Sequence, residues 1–217
     1  MAELVDALVS NTSGFTSMPV RSRLWVLKAP DKFLSGAFYF EVFQSKTLVS
    51  SMNFHYNNLE MNKIRQANLS DIPALKELYR NTVLTVNQKD YTAEEVEDWA
   101  SCGADTARWI ELLKEQHYVV AENENGVIVG FASINETGYM HALFVHKDFQ
   151  HQGIASSLYK YLEMYAKEKG AKKLTSEVSI TAKPFFEKQG FQVDKEQKRK
   201  ANQLCLINYK MSKELHK

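Results

Sequence analysis

The run from Leu143 to Ala155 constrains the fold more than any other stretch of this chain, because an apolar strand ends there and a glycine-bearing turn opens straight into a helix. Gly153 lets the backbone turn tightly with no side chain in the way. The first helical N–H groups, unpaired within their own helix, then face outward toward an anion, and a pyrophosphate suits them. Many strand-to-helix turns carry a glycine for steric reasons alone, so the flanking segments decide what this one is for.

Those segments are regular from Met61 onward. Ile64 to Ala67 reads as a short strand, and Ser70 or Asp71 offers a cap ahead of Pro73, which suits the opening turn of a helix. Ile72, Leu75, Leu78, Tyr79, Val83 and Val86 then recur at helical spacing. Thr92 with Glu95 forms a capping box that opens a second helical segment running through Trp99, and Trp109, Ile110 and Leu113 mark a third. Tyr118 to Ala121 and Val127 to Ile134 read as strands around Asn125 and Gly126, a strong hairpin signal. After the strand Tyr139 to Val145, Ile154 to Lys169 has the cleanest amphipathic period, and Gly170 closes it as a C-terminal cap. A strand at Leu174 to Val178, a helix at Thr181 to Lys188, and strands at Gln192 to Val193 and Leu204 to Met211 complete the chain. Together they predict a mixed α/β sheet with helices on both faces.

Gln150, Gly153 and Ala155 resemble the phosphate-binding turn of the GCN5-related N-acetyltransferase (GNAT) family. Gly138 to Val145 is similar to that family's fourth strand, and Phe185 to Phe191 to its late helix and the turn into the sixth strand. Order and spacing agree, and the resemblance runs from Met61 to about Ser212. It implies a GNAT-type mixed, mostly antiparallel sheet flanked by helices. It also implies an acyltransferase that moves an acetyl group from acetyl-CoA, as cosubstrate and without a metal, to a primary amine of a small molecule, peptide or protein by direct attack. The alternative is a CoA-binding sensor or interaction module that has lost transfer.

On this resemblance, pantetheine adds to the open edge of the strand at Leu143, Phe144 and Val145 through backbone groups. Gln150, His151, Gln152, Gly153, Ile154 and Ala155 take the pyrophosphate, with Ser156 and Ser157 offering hydroxyls at the helix start. Ser179 stands where relatives place an asparagine that reaches the cofactor. His141 occupies a position where relatives carry a carboxylate facing the acyl group, and a histidine there accepts a proton near neutral pH, directly or through water. The opposing reading is a histidine satisfied by hydrogen bonds beside the pocket. Phe186 replaces a tyrosine that protonates the departing thiolate in many members, which leaves solvent or Tyr139 as the acid. Tyr91, Trp99 and Trp109 are candidates to line an acceptor mouth or, as aromatics at helical spacing, to fill the core. The acidic group Glu94, Glu95, Glu97 and Asp98 reads either as an attractor of a cationic amine or as a solvated helix face.

Charge excludes a partner class. Twenty-seven basic against 26 acidic side chains leave a formal charge of +1, so no global field attracts nucleic acid or an anionic membrane. The basic run Lys195 to Lys200 reads as a solvated turn between the last two strands. Cys102 and Cys205 lie far apart with no metal spacing, which fits a reducing cytoplasm. No apolar stretch is long enough to span a bilayer: Phe33 to Phe43 is short and interrupted by Glu41. Expected partners are therefore acetyl-CoA and an amine acceptor, with a homodimer left open.

Residues 1–60 differ from the rest, with short apolar patches and no sustained period. Ala2 to Arg23 looks like an in-frame reading of a transfer-RNA gene, which would make Met61 the true start. The competing reading is an arm that docks through Trp25, Phe38, Tyr39, Phe40 and Phe43. The expected domain is 61–217.

Overall fold

The computed structural model describes residues 62–215. The expectations for residues 1–60 and for a start at Met61 lie outside them. The strands are β1 (Lys63–Gln66), β2 (His117–Glu122), β3 (Ile128–Ile134), β4 (Tyr139–Val145), β5 (Lys173–Ser179), β6 (Gln192–Lys200) and β7 (Cys205–Glu214). The helices are α1 (Ile72–Val86), α2 (Ala93–Ser101), α3 (Thr106–Glu115), α4 (Ile154–Glu168) and α5 (Lys183–Lys188). The sheet runs β1-β2-β3-β4-β5-β7-β6, antiparallel throughout except for the parallel pair β4 and β5. This is the mixed, mostly antiparallel sheet expected.

Capping places the helices. Thr92 and Glu95 form the capping box read from the sequence. Ahead of α1 the cap is instead Asn68, whose side chain accepts from Ser70 N–H at the head of a 3₁₀ turn, Leu69–Asp71. Asp71 is drawn away from the helix because Arg65 grips its carboxylate with two hydrogen bonds of 2.8 and 2.9 Å, and that pairing holds its pKa below the usual carboxylate range.

Helices α1 to α3 pack on one face and α4 and α5 on the other. On the first face Tyr79 of α1 meets Phe144 of β4 at 5.0 Å, and Trp109 of α3 meets Phe131 of β3 at 5.8 Å. On the second, His117 of β2 stacks on Tyr165 of α4 at 4.0 Å, while Tyr159 of α4 meets Phe185 of α5 edge-on. Strands β2 to β4 are buried on both faces, which is why they read as nearly continuous apolar runs.

The last hairpin differs from expectation. Lys195 to Lys200 is part of a nine-residue strand and not a turn. Both faces of β6 are largely solvated, so no alternation marks it. Its pairing with β7, and not burial, makes it a strand. The strand at Leu204 to Met211 likewise runs from Cys205 to Glu214.

Candidate active site

The parallel pair β4 and β5 is in register at only two positions, Tyr139 with Thr175 and Met140 with Ser176. Beyond these the strands diverge, and a gap opens between the C-terminal halves of β4 and β5. Which backbone groups face it follows from the neighbouring ladder. The N–H of His146 donates to Val129 C=O at 2.8 Å, and Val145 pairs with Gly130, so Val145/Gly130 and Leu143/Ala132 are the non-hydrogen-bonded pairs. The N–H and C=O of Leu143 and Val145 therefore point away from β3, toward the gap. The carbonyl of Val145 is already taken, by Thr82 Oγ1 at 3.1 Å and Gln150 Nε2 at 2.7 Å. That leaves the polar groups of Leu143 and the N–H of Val145 for a guest strand. Phe144 faces the other way, into the aromatic core with Tyr79 and Phe131.

The gap leads to the turn read from the sequence. Gly153 is the N-cap of α4 at φ 79° and has no side chain with which to cap that helix. Among the described residues nothing lies within 4 Å of where a Cβ on Gly153 would sit, so glycine is required there by backbone conformation and not by crowding. The first helical bond runs from Ser157 N–H to Gly153 C=O. Ile154 and Ala155 bury their side chains beneath the helix, so those side chains offer an anion nothing. His151 also takes a left-handed conformation, φ 62°, and it and Gln152 project outward.

Three expected polar contacts are redirected. The Gln150 amide turns inward and braces the end of β4, donating to Val145 and His146 carbonyls, so its part in the turn is structural. The Ser157 hydroxyl donates back to Gly153 C=O, which leaves the half-buried Ser156 as the hydroxyl nearer solvent. Ser179 is fully buried, and its Oγ accepts from Ala182 N–H, capping the turn before α5.

His141 sits where β4 bulges. Ser133 pairs with Ala142 and Ile134 with Met140, so His141 is the extra residue. The bulge turns its ring to the α1–α3 face, where Nδ1 lies 3.4 Å from Tyr118 Oη and the Tyr139 ring is 6.3 Å away. The ring is only 7% exposed, and burial, helped by the charge of Arg108, pulls its pKa down to about 4. That direction runs against a base titrating near neutral pH and favours the reading of a histidine held by hydrogen bonds, because desolvation disfavours the charged ring. Phe186 is fully buried between Phe185 and Phe191, at 5.6 and 4.9 Å, so it belongs to the core.

Tyr91, Trp99 and Trp109 are buried as well, which agrees with the core reading and not with an acceptor mouth. Trp109 donates to Gly103 C=O. Tyr91 donates to Ile207 C=O and accepts from Ile180 N–H, tying the start of α2 to the ends of β5 and β7. Asp98 is no bait for an amine. Its carboxylate accepts the N–H groups of Asn202, Gln203 and Leu204 at 2.9–3.1 Å and holds the tip of the β6–β7 hairpin against α2. Sequence reasoning missed Tyr118 and Thr82, which reach the site from β2 and α1 and carry no local signal. Among the described residues, no cluster of three or more His, Cys, Asp or Glu could hold a metal, and no helix is long and apolar enough to cross a membrane.

The family model for an acetyltransferase (GNAT) domain matches residues 87–213. The uncharacterized N-acetyltransferase YafP of Escherichia coli (strain K12) is 34% identical over 156 residues, covering 71% of this chain and 95% of the relative. Among solved structures, a GCN5-related N-acetyltransferase from Rhodopseudomonas palustris superposes with a TM-score of 0.69 at 29% identity, covering 71% of this chain and 96% of its own. An acetyltransferase, YncA, from Salmonella typhimurium, solved with its cofactor acetyl-CoA, shares the fold with a TM-score of 0.56 at 21% identity, covering 72% and 95%.

Proposed function

From the premise that the chain belongs to the GNAT acetyltransferase family, we propose that it transfers acetyl from acetyl-CoA to a primary amine by direct attack. One observation carries this reading: the half-open edge of β4, with Leu143 and Val145 facing the gap, leads to the N-terminus of α4 at the left-handed Gly153. The backbone of Leu143 and the N–H of Val145 take the amide groups of pantetheine as an added strand. The N–H groups after Gly153 take the pyrophosphate. The amine nitrogen bonds to the thioester carbon, the C–S bond breaks, and the amine's proton leaves to water. Solvent protonates the thiolate, because Phe186 has no proton to give. The working domain is 61–217, and the acceptor is an amine of a small molecule, peptide or protein.

The test begins with thermal stability in acetyl-CoA, which rises if the cofactor binds the native state. Gly153→Asn tolerates the left-handed backbone and keeps most of that shift, whereas Gly153→Asp sets a carboxylate against the phosphates and removes it. Equal shifts in the two variants would overturn the site. Thiol release across a panel of amines then tests transfer. Tight binding without release with any amine would favour the sensor reading, to which Phe186 lends its support.

A further inference from the structure

Deep in the α1–α3 face, Tyr118 and His141 form a pair that the reaction outlined above does not use. Tyr118 is 1% exposed, and its hydroxyl is 3.4 Å from Nδ1 of His141. A buried hydroxyl hydrogen needs an acceptor. Ser133 Oγ also lies near enough to the phenol to act on its charge, but it makes no hydrogen bond of regular geometry, so among the described residues Nδ1 is the partner that the hydroxyl meets. Burial raises the phenol pKa far above its ordinary value, so the proton stays on oxygen and is available to donate. The charged group facing the imidazole is Arg108 of α3, which adds to the cost of a second ring proton. From its own strand the ring sees Tyr139. Nε2, by contrast, makes no hydrogen bond among the described residues and is not among the buried unpartnered atoms.

We propose that Tyr118 donates to Nδ1 of His141 and so locks a neutral imidazole in its Nε2–H form, making His141 a hydrogen-bond donor at the site and Tyr118 its positioning residue. A neutral ring with its acceptor nitrogen already engaged takes no proton from an amine. It offers an N–H to an electron-rich atom of the bound pair, a carbonyl oxygen that gains negative charge during transfer being the natural recipient. This rests on the transferase reading for its role, but the tautomer is a property of the free protein.

Long-range ¹H–¹⁵N spectra of the free, uniformly labelled protein read the tautomer directly, with the His141 signals assigned by their loss in His141→Gln. The expected pattern at neutral pH is Nε2–H, with no second proton on the ring until the pH approaches 4. In Tyr118→Phe the same ring should become a mixture of both tautomers. An Nδ1–H or doubly protonated ring at neutral pH would overturn the proposal, as would an unchanged tautomer in Tyr118→Phe. If that variant fails to fold, the parent spectrum still decides. Kinetics separate the role from the function: His141→Gln, which keeps an N–H donor, should hold kcat within several-fold, while His141→Glu, which supplies a base and no donor, should lose far more. Absence of all transfer by the parent protein would refute the function and leave the spectrum standing.

Discussion

β4 is in register with β3 at five positions but with its parallel neighbour β5 at only two, and β5 in turn matches β7 at seven. The sheet is therefore two well-zipped units joined at one end. In the first, β2 to β4 are covered on both faces and read as apolar runs. In the second, β7 sits against β5, but β6 is an exposed edge crowded with lysine and arginine, which discourages another strand from adding there. The difference supports the site proposed above. A guest that completes hydrogen bonds along a strand needs a strand edge that is free yet lined by a rigid core, and the unzipped half of β4 meets that need where β6 does not.

Breaking the joint should have the largest effect. Gly138 lies just before β4 at φ 88°, and a Cβ there would land on the carbonyl oxygen of Lys173, where β5 begins. Gly138→Val combines a left-handed backbone with a backbone clash and should cost at least about 3 kcal/mol. Urea unfolding and acetyl-CoA binding measure the loss. A fully stable variant that still binds would show that the two units do not depend on this contact.

Next in size is an acid effect confined to the first unit. The unfolded chain protonates His141 near pH 6.5, whereas the folded chain resists until about pH 4. Protons therefore favour unfolding across that window, and the penalty grows as pH falls, to roughly 3 kcal/mol at its lower end. Unfolding free energies at pH 7 and pH 4.5 should fall less for His141→Gln than for the parent. Parallel curves would mean the ring is not held neutral.

Phe186 sharpens the contrast from the second unit. Because it is enclosed by Phe185 and Phe191, Phe186→Tyr should bury a hydroxyl without a partner and cost about 1–3 kcal/mol, with no gain in turnover. Faster thiol release in that variant would show the ring edge to be within reach of the thiolate after all. The smallest effect is expected at the overhang of the β6–β7 hairpin. Asp98→Ala should speed amide exchange at Asn202, Gln203 and Leu204 and change global stability by about 1 kcal/mol.

Elements whose signal is local were legible from the chain. The capping box at Thr92, the helix after Gly153, the Asn125 and Gly126 turn and the apolar strands β2 to β4 all sit close to where the residues place them. Of strand β6 only the start at Gln192 and Val193 was legible, because a strand solvated on both faces has no alternation to read and exists through its partner β7. The aromatic residues Tyr91, Trp99 and Trp109 carried no mark to distinguish core from mouth; burial separated them.

What the sequence determined by itself was the family resemblance and the glycine turn into α4, because both rest on residues adjacent in the chain, above all a glycine free to turn left-handed at the head of the helix. What only the tertiary structure decided was the chemistry beside that turn. The split between β4 and β5, the capture of the Val145 carbonyl by Thr82 and Gln150, and the bulge that sets His141 against Tyr118 each join residues distant in the chain or change which face a residue occupies. Proton affinity follows from desolvation and neighbours, so at His141 packing set it and the residue's identity alone did not.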